Sequence, residues 1–211
     1  MKIAFAHNVF DRFKTLKETI EVERKFFPDA DIFVACNGRK NDEFFNQIEN
    51  LQVKYYLETP EHKIGCVNGL MLSCNMALKK EFDVLIFSHD DVRIASYEVL
   101  INQINDVFSG NCDIVYRNPQ WIGENYAMME ATIMNRKAVE TLFSEISLLR
   151  TDAEIGFFGR SISPELWFYN RVNAKTLNKR VIKYQATEYN VEMSKQIGYM
   201  HLNIGLRGWK D

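Results

Sequence analysis

His89, Asp90 and Asp91 stand directly behind an apolar run of four, Val84 to Phe87. Such a run suits a fully buried strand and is too short for a buried helix. Ligands of open α/β sheets bind beyond the carboxyl ends of the strands, so this strand would hold all three side chains at the mouth of a cleft. Three ionisable side chains held on rigid backbone at such a place are candidates to carry chemistry. The plainer reading of Asp90-Asp91 is a strand terminator opening a turn, since Asp favours turns.

The elements that must position these residues follow from periodicity. A strand over Ile3 to Ala6 leads to a helix with Phe13, Leu16, Ile20 and Phe27 near helical spacing, stopped by Pro28. A second strand spans Asp31 to Ala35, and Asn37-Gly38 after it signals a turn. A short helix with Phe44, Phe45, Ile48 and Leu51 on one face precedes a third strand, Val53 to Leu57. The clearest helix runs from Lys63 to Lys80 and delivers the chain into the strand that ends at His89. Four strand–helix alternations in about 90 residues predict an α/β fold, a mostly parallel central sheet with helices on both faces.

Downstream, the pattern predicts a helix over Ser96 to Phe108, a strand over Ile114 to Tyr116, and a loop from Asn118 to Asn125 carrying Trp121. A strand over Ala127 to Met134 and a helix over Lys137 to Phe143 follow. Ser163-Pro164 opens a helix by two rules at once, Ser as N-cap and Pro at the first helical position. Val181 to Tyr184 is a last strand, and the tail from Tyr189 has no clear period. We read a single domain over 1–211, with a first half to residue 92 and a second from residue 93.

Composition narrows the class. Hydrophobic residues at 46% and charged residues at 26% are the balance of a globular protein. A net charge of −2 implies no general attraction to nucleic acid or to an anionic membrane. The 4 cysteines, at 36, 66, 74 and 112, show neither a Cys-X-X-Cys pair nor a metal-ligand rhythm and read as reduced thiols. The N-terminus has no signal-peptide pattern, and no apolar stretch reaches the length of about 18 residues that spans a bilayer. The expectation is a cytoplasmic protein without a transmembrane segment, with peripheral membrane contact left open.

The run Asn75-Met-Ala-Leu-Lys-Lys-Glu-Phe-Asp-Val-Leu-Ile-Phe-Ser-His-Asp-Asp-Val92 resembles the central signature of family 2 glycosyltransferases with the GT-A fold. In that family an Asn near a helix end precedes a hydrophobic strand ending in Asp-X-Asp or, in one branch, His-X-Asp-Val. Gly65, Asn75 and Ala77 also stand where the family tends to keep Gly, Asn and a small residue. The resemblance implies a nucleotide-sugar donor and a divalent metal, Mn2+ or Mg2+. Asp91 is then the leading metal ligand. His89 either joins it or touches the nucleotide, and Asp90 contacts the ribose or a backbone turn.

Ser163-Pro-Glu-Leu-Trp-Phe-Tyr-Asn-Arg171 is similar to the family's Glu-Asp motif, in which an acid near a helix start is followed by an Arg. Glu165 and Arg171 keep that spacing, although Pro164 replaces the first acid and Glu165 the usual Asp. An inverting transfer needs a carboxylate to take the acceptor proton, and the resemblance gives that role to Glu165. A Glu in a first helical turn also simply complements the helix dipole. Asp152 and Glu154 are reserve candidates. The family reads the base with an Asp after the second strand; here Cys36-Asn37 stands instead, so Asn37 is the candidate. His7 lies in the same region. His201 is a further candidate toward the diphosphate or metal. Trp121 and Trp167 are candidate sugar-stacking faces.

The resemblance implies transfer of a sugar from a nucleotide donor to a hydroxyl of a glycan or lipid-linked acceptor. Two other readings stay open: a nucleotidyltransferase forming a nucleotide sugar, and an inactive nucleotide- or glycan-binding domain.

Overall fold

The computed structural model describes residues 1–56, 62–120, 123–150, 163–184 and 191–201. Its centre is a seven-stranded sheet in the order β3-β2-β1-β4-β7-β6-β8. The strands are β1 (Ile3–Val9), β2 (Asp31–Cys36), β3 (Leu51–Tyr55), β4 (Val84–His89), β6 (Ile114–Pro119), β7 (Met128–Asn135) and β8 (Lys179–Tyr184). Pairings β1–β2, β1–β4, β2–β3 and β6–β8 are parallel, while β4–β7 and β6–β7 are antiparallel. The sheet is thus mostly parallel, as the alternation predicts, with the reversed strand β7 entering beside β4.

Strand β4 explains the continuous apolar run. Leu85 and Phe87 join the core on one face, and Val84 and Ile86 join the core on the other. A strand buried on both faces has no polar position to alternate with. The first face is covered by α3 (His62–Ala77), α5 (Arg136–Phe143) and α6 (Pro164–Asn173). The second is covered by α1 (Phe13–Phe26), α2 (Asp42–Phe45) and α4 (Tyr97–Phe108). Helix starts are chemically marked: the side chains of Ser96, Asn135 and Ser163 accept from Val99, Ala138 and Leu166 N–H respectively.

Several boundaries differ from expectation. Leu51 begins β3 instead of lying on the face of α2, which is a single turn. Helix α3 ends at Ala77, and the predicted continuation to Lys80 is a tightened turn in which Leu78, Lys79 and Lys80 donate to carbonyls three residues back. Apolar spacing does not separate the two. The tail carries α7 (Val191–Ile197) and β9 (Tyr199–His201), and β9 pairs antiparallel with the short β5 (Val92–Ile94) to form a second sheet. Three-residue strands are too short to announce a period. Among the described residues no helix is long and apolar enough to cross a membrane.

Candidate functional site

Strand β4 carries His89 to the carboxyl edge of the sheet, and Asp90-Asp91 turn the chain into β5. His89 is 8% exposed, Asp90 2% and Asp91 2%. The turn is tied down from two elements: the Asp90 amide donates to Asn8 O at the end of β1 (3.2 Å), and Thr19 Oγ1 on α1 donates to Asp90 O (2.8 Å). Arg12, immediately before α1, reaches over both acids. Its Nη1 donates to Asp91 Oδ2 and its Nη2 to Asp90 Oδ1, each at 2.8 Å. This charge-assisted fork joins residues far apart in sequence.

Burial first, and the adjacent Asp91 charge second, push the Asp90 carboxyl up to about 7, against the pull of Arg12. Asp90 Oδ2 is buried with no hydrogen-bond partner among the described residues.

Two further carboxylates share this space. Glu130 on β7 brings Oε1 to 3.9 Å from His89 Nε2. Its neighbour Ala131 has a φ of 55°, and the β6–β7 register shifts between Val115 and Arg117. The irregularity is a bulge, a device that re-aims a side chain within a strand. Glu165 lies in the first turn of α6, behind the Ser163 cap and Pro164. Cys66 lies on the first turns of α3. Burial and then the charges of Glu130, Glu165, Asp91 and Asp90 push its thiol up to about 12.

The donor chemistry fits a divalent cation. Among the described residues no group of three or more His, Cys, Asp or Glu side chains forms a closed metal cage. What the turn supplies is a carboxylate pair with one buried Asp90 oxygen that has no partner among the described residues. That is the protein's share of a site in which substrate phosphates and water fill the remaining positions, as is usual for Mg2+.

The rim formed by β1, β2 and α3 is closely packed. A Cβ on Gly65 would lie 2.4 Å from Asn37 Nδ2, and one on Gly38 would lie 1.7 Å from Phe10 O. Glycine is required at 38, where backbone meets backbone, while at Gly65 a Cβ would displace the end of the Asn37 side chain. Asn37 Oδ1 is buried and without a hydrogen-bond partner among the described residues. Phe10 beside it is 53% exposed, an apolar face at the end of β1.

The structure holds His89, Asp90 and Asp91 together at the end of β4, with Asn37 packed against Gly65 nearby, and sets Glu165 on the first turn of α6, where its backbone carbonyl accepts from Ala127 N–H just before β7. It places three other expected residues elsewhere. His7 is fully buried within β1 and pairs through Nε2 with Glu23 Oε2 at 2.9 Å. Asn75 lies about 15 Å along α3 from Gly65 at the helical rise. Its Nδ2 donates to Phe143 O (2.8 Å) and Ser144 O (3.2 Å). Arg171 donates through Nε to Leu142 O (2.9 Å) and stacks on Phe143 and Trp167. Asn75 and Arg171 thus converge on the last carbonyls of α5, which a helix leaves without internal partners. Register sets His201 opposite Val92 through the β5–β9 pairing. Trp121, Asp152 and Glu154 lie outside the described residues.

Arg12 and Glu130 were not evident from sequence. Arg12 belongs to the site only through pairing across the fold, and Glu130 only through the bulge. A Glu interrupting the buried stretch Ala127 to Met134 was the one available signal for it.

A seven-stranded mixed sheet of this order, flanked by helices and carrying its acids at the end of the fourth strand, is a GT-A fold. The chain is similar to a glycosyltransferase involved in glycosylation of the major capsid of PBCV-1, with a TM-score of 0.54 and 13% identity over 96% of this chain and 94% of that one. It is also similar to a mannosyltransferase from Pyrobaculum calidifontis in complex with GDP-Man and Mn2+, with a TM-score of 0.54 and 7% identity over 90% of this chain and 57% of that one. A 4-diphosphocytidyl-2C-methyl-D-erythritol synthase from Anaerococcus prevotii matches at a TM-score of 0.50 and 11% identity over 93% of this chain and 97% of that one. At these identities the likeness is one of fold. No protein-family model and no curated protein sequence matches the chain.

Proposed function

We propose that this protein is a metal-dependent glycosyltransferase that moves a sugar from a nucleotide donor to a hydroxyl of a glycan or lipid-linked acceptor. The observation that carries the reading is the buried Asp90–Asp91 pair at the carboxyl end of β4, tied to β1 and α1 and with Asp90 Oδ2 unpartnered among the described residues. Asp91, with Asp90 beside it, would hold Mn2+ or Mg2+. Such a cation neutralises charge on the departing diphosphate. Asn37 and the exposed ring of Phe10 offer the nucleoside an amide edge and an apolar face.

Glu165 is the proposed base for an inverting transfer: it stands at the start of α6, within electrostatic reach of the same thiol as the aspartates. Glu130 is the second carboxylate able to take the acceptor proton. Cytoplasmic location and the family 2 relationship belong to the same proposal. A nucleotidyltransferase reading draws on the similarity to the diphosphocytidyl synthase. Against it, the loop His7-Asn-Val-Phe-Asp-Arg-Phe13 has no glycine-rich cradle for the triphosphate that chemistry uses.

The test is calorimetric titration of UDP, GDP and CMP with and without Mn2+, on wild type and Asp91→Ala. Manganese-dependent binding of one nucleotide, lost in the variant, is expected; absence of any nucleotide binding overturns the reading. With the donor identified, Glu165→Gln should cut transfer by about 100-fold or more with donor affinity nearly unchanged. If Glu130→Gln does so instead, the base is Glu130.

A further inference from the structure

The guanidinium fork across the carboxylate pair has no part in the reaction just described. We propose that Arg12 is the resident counter-ion of the free site, which a divalent cation must displace to reach Asp90 and Asp91. The inference rests on the metal-site reading above.

Three features of the geometry carry it. First, Arg12 holds the oxygens that an arriving ion needs. Asp90 Oδ1 and Asp91 Oδ2 each accept from the guanidinium at 2.8 Å, whereas Asp90 Oδ2 and Asp91 Oδ1 are buried away from solvent. An ion arriving from the cleft meets the oxygens already taken, so the two cations exclude one another. Second, the fork lies on the wet side of the site. The Arg12 side chain is 44% exposed, against 3% for Asp90 and 4% for Asp91. It closes the pair from outside and has solvent to swing into.

Third, the side chain is free to leave without unravelling its element. Arg12 is the N-cap residue of α1, yet it makes no side-chain cap bond; its part in the helix is the carbonyl that accepts from Leu16 N–H at 3.0 Å. Thr19, farther along the same helix, keeps its own bond to Asp90 O. Release therefore costs the fork alone.

The chemistry explains why such an arrangement is built. Adjacent buried carboxylates without a cation repel one another. An arginine spans two carboxylates with its planar fork, which an ammonium does not. A doubly charged ion gains more from the same pair than a singly charged one, so the exchange runs toward metal once enough is present. The free protein is thereby protected from its own charge, at the cost of a weaker apparent metal affinity.

The experiment is a titration of Mn2+ alone, followed by electron paramagnetic resonance of the unbound ion, on wild type, Arg12→Gln, Arg12→Lys and Asp91→Asn. Arg12→Gln is expected to bind Mn2+ about tenfold or more tightly than wild type, the scale set by losing a charge-assisted fork. Arg12→Lys should fall between the two, and Asp91→Asn should lose binding. Equal or weaker binding by Arg12→Gln, with wild-type binding measurable, overturns the proposal and leaves the metal site standing. No binding by wild type and Arg12→Gln alike overturns the metal site and the proposal with it. Should far-ultraviolet circular dichroism show Arg12→Gln unfolded, Arg12→Lys decides: it keeps the charge but not the fork, and binding no tighter than wild type overturns the proposal.

Discussion

His7 shows how far a residue's role depends on a partner that its own neighbourhood in sequence does not reveal. A histidine just past a short apolar run reads as a group projecting toward a ligand. In the structure β1 continues through it, the ring stacks parallel to Phe5, and Nε2 meets Glu23 Oε2 at 2.9 Å inside the protein. Burial raises the Glu23 carboxyl above the usual range, and His7 pulls it back. Breaking a buried pair strands the survivor, so Glu23→Leu should destabilise the protein by about 3 kcal/mol. The double variant His7→Phe with Glu23→Leu should recover most of that loss, since both polar groups leave together. Urea denaturation of the two singles and the double tests this; an additive double variant would mean that the pair is not coupled. The place of the β4–β5 acids, by contrast, was legible from sequence, because a continuous apolar run gives way at once to ionisable residues, and the structure sets them at the carboxyl end of a buried strand. The spacing of Asn75 and Arg171 was real as well, but both side chains close the end of α5.

At the scale of elements, periodicity exposed the long helices and the two-sided strand β4. It could not expose the bulge in β7 or the pairing of β5 with β9, which depend on contacts across the chain. Arg117 holds these together. It is 2% exposed, donates to Ala131 O at the bulge, to Ile197 O at the end of α7 (2.8 Å from Nη2) and to Gln103 Oε1 (2.6 Å), and its guanidinium stacks on Tyr199. One side chain thus fixes both the strand that carries Glu130 and the one that pairs beside Asp91. The bulge makes Ala131 a sharp probe, because its φ of 55° is costly for any side chain and worst for a branched one. Ala131→Val, a change that an ordinary strand interior favours, should destabilise by about 2 kcal/mol or more. Ala131→Gly should stay within about 1 kcal/mol of wild type, because relief of strain offsets the lost methyl. Chemical denaturation ranks the three proteins. A stable Ala131→Val variant would mean that the bulge relaxes, and Glu130 should then lose its place beside His89.

At the scale of the whole molecule, the site lies where the halves of the sheet meet. Strand β4 pairs on one side with β1 of the parallel set and on the other with β7, so its end is bordered by α1 through Arg12 and by β7 through Glu130. The free fold carries the strain of two buried acids sharing one arginine. Asp90→Asn removes the mutual repulsion of two adjacent buried carboxylates, and should raise the melting temperature of the free protein by about 2–4 °C, equivalent to about 1 kcal/mol in a chain of this size. Wild type with Mn2+ at about 100 times its dissociation constant should gain about 2.7 kcal/mol, or roughly 5–10 °C. Asp90→Asn should gain less than half of that, because the charge that burdens the free fold is the charge the ligand answers. Thermal unfolding of both proteins, free and loaded, separates the alternatives. A variant less stable than wild type when free would make Asp90 a net structural asset through Arg12. A variant more stable when free and indifferent to ligand would show that stability is given up at this turn for binding.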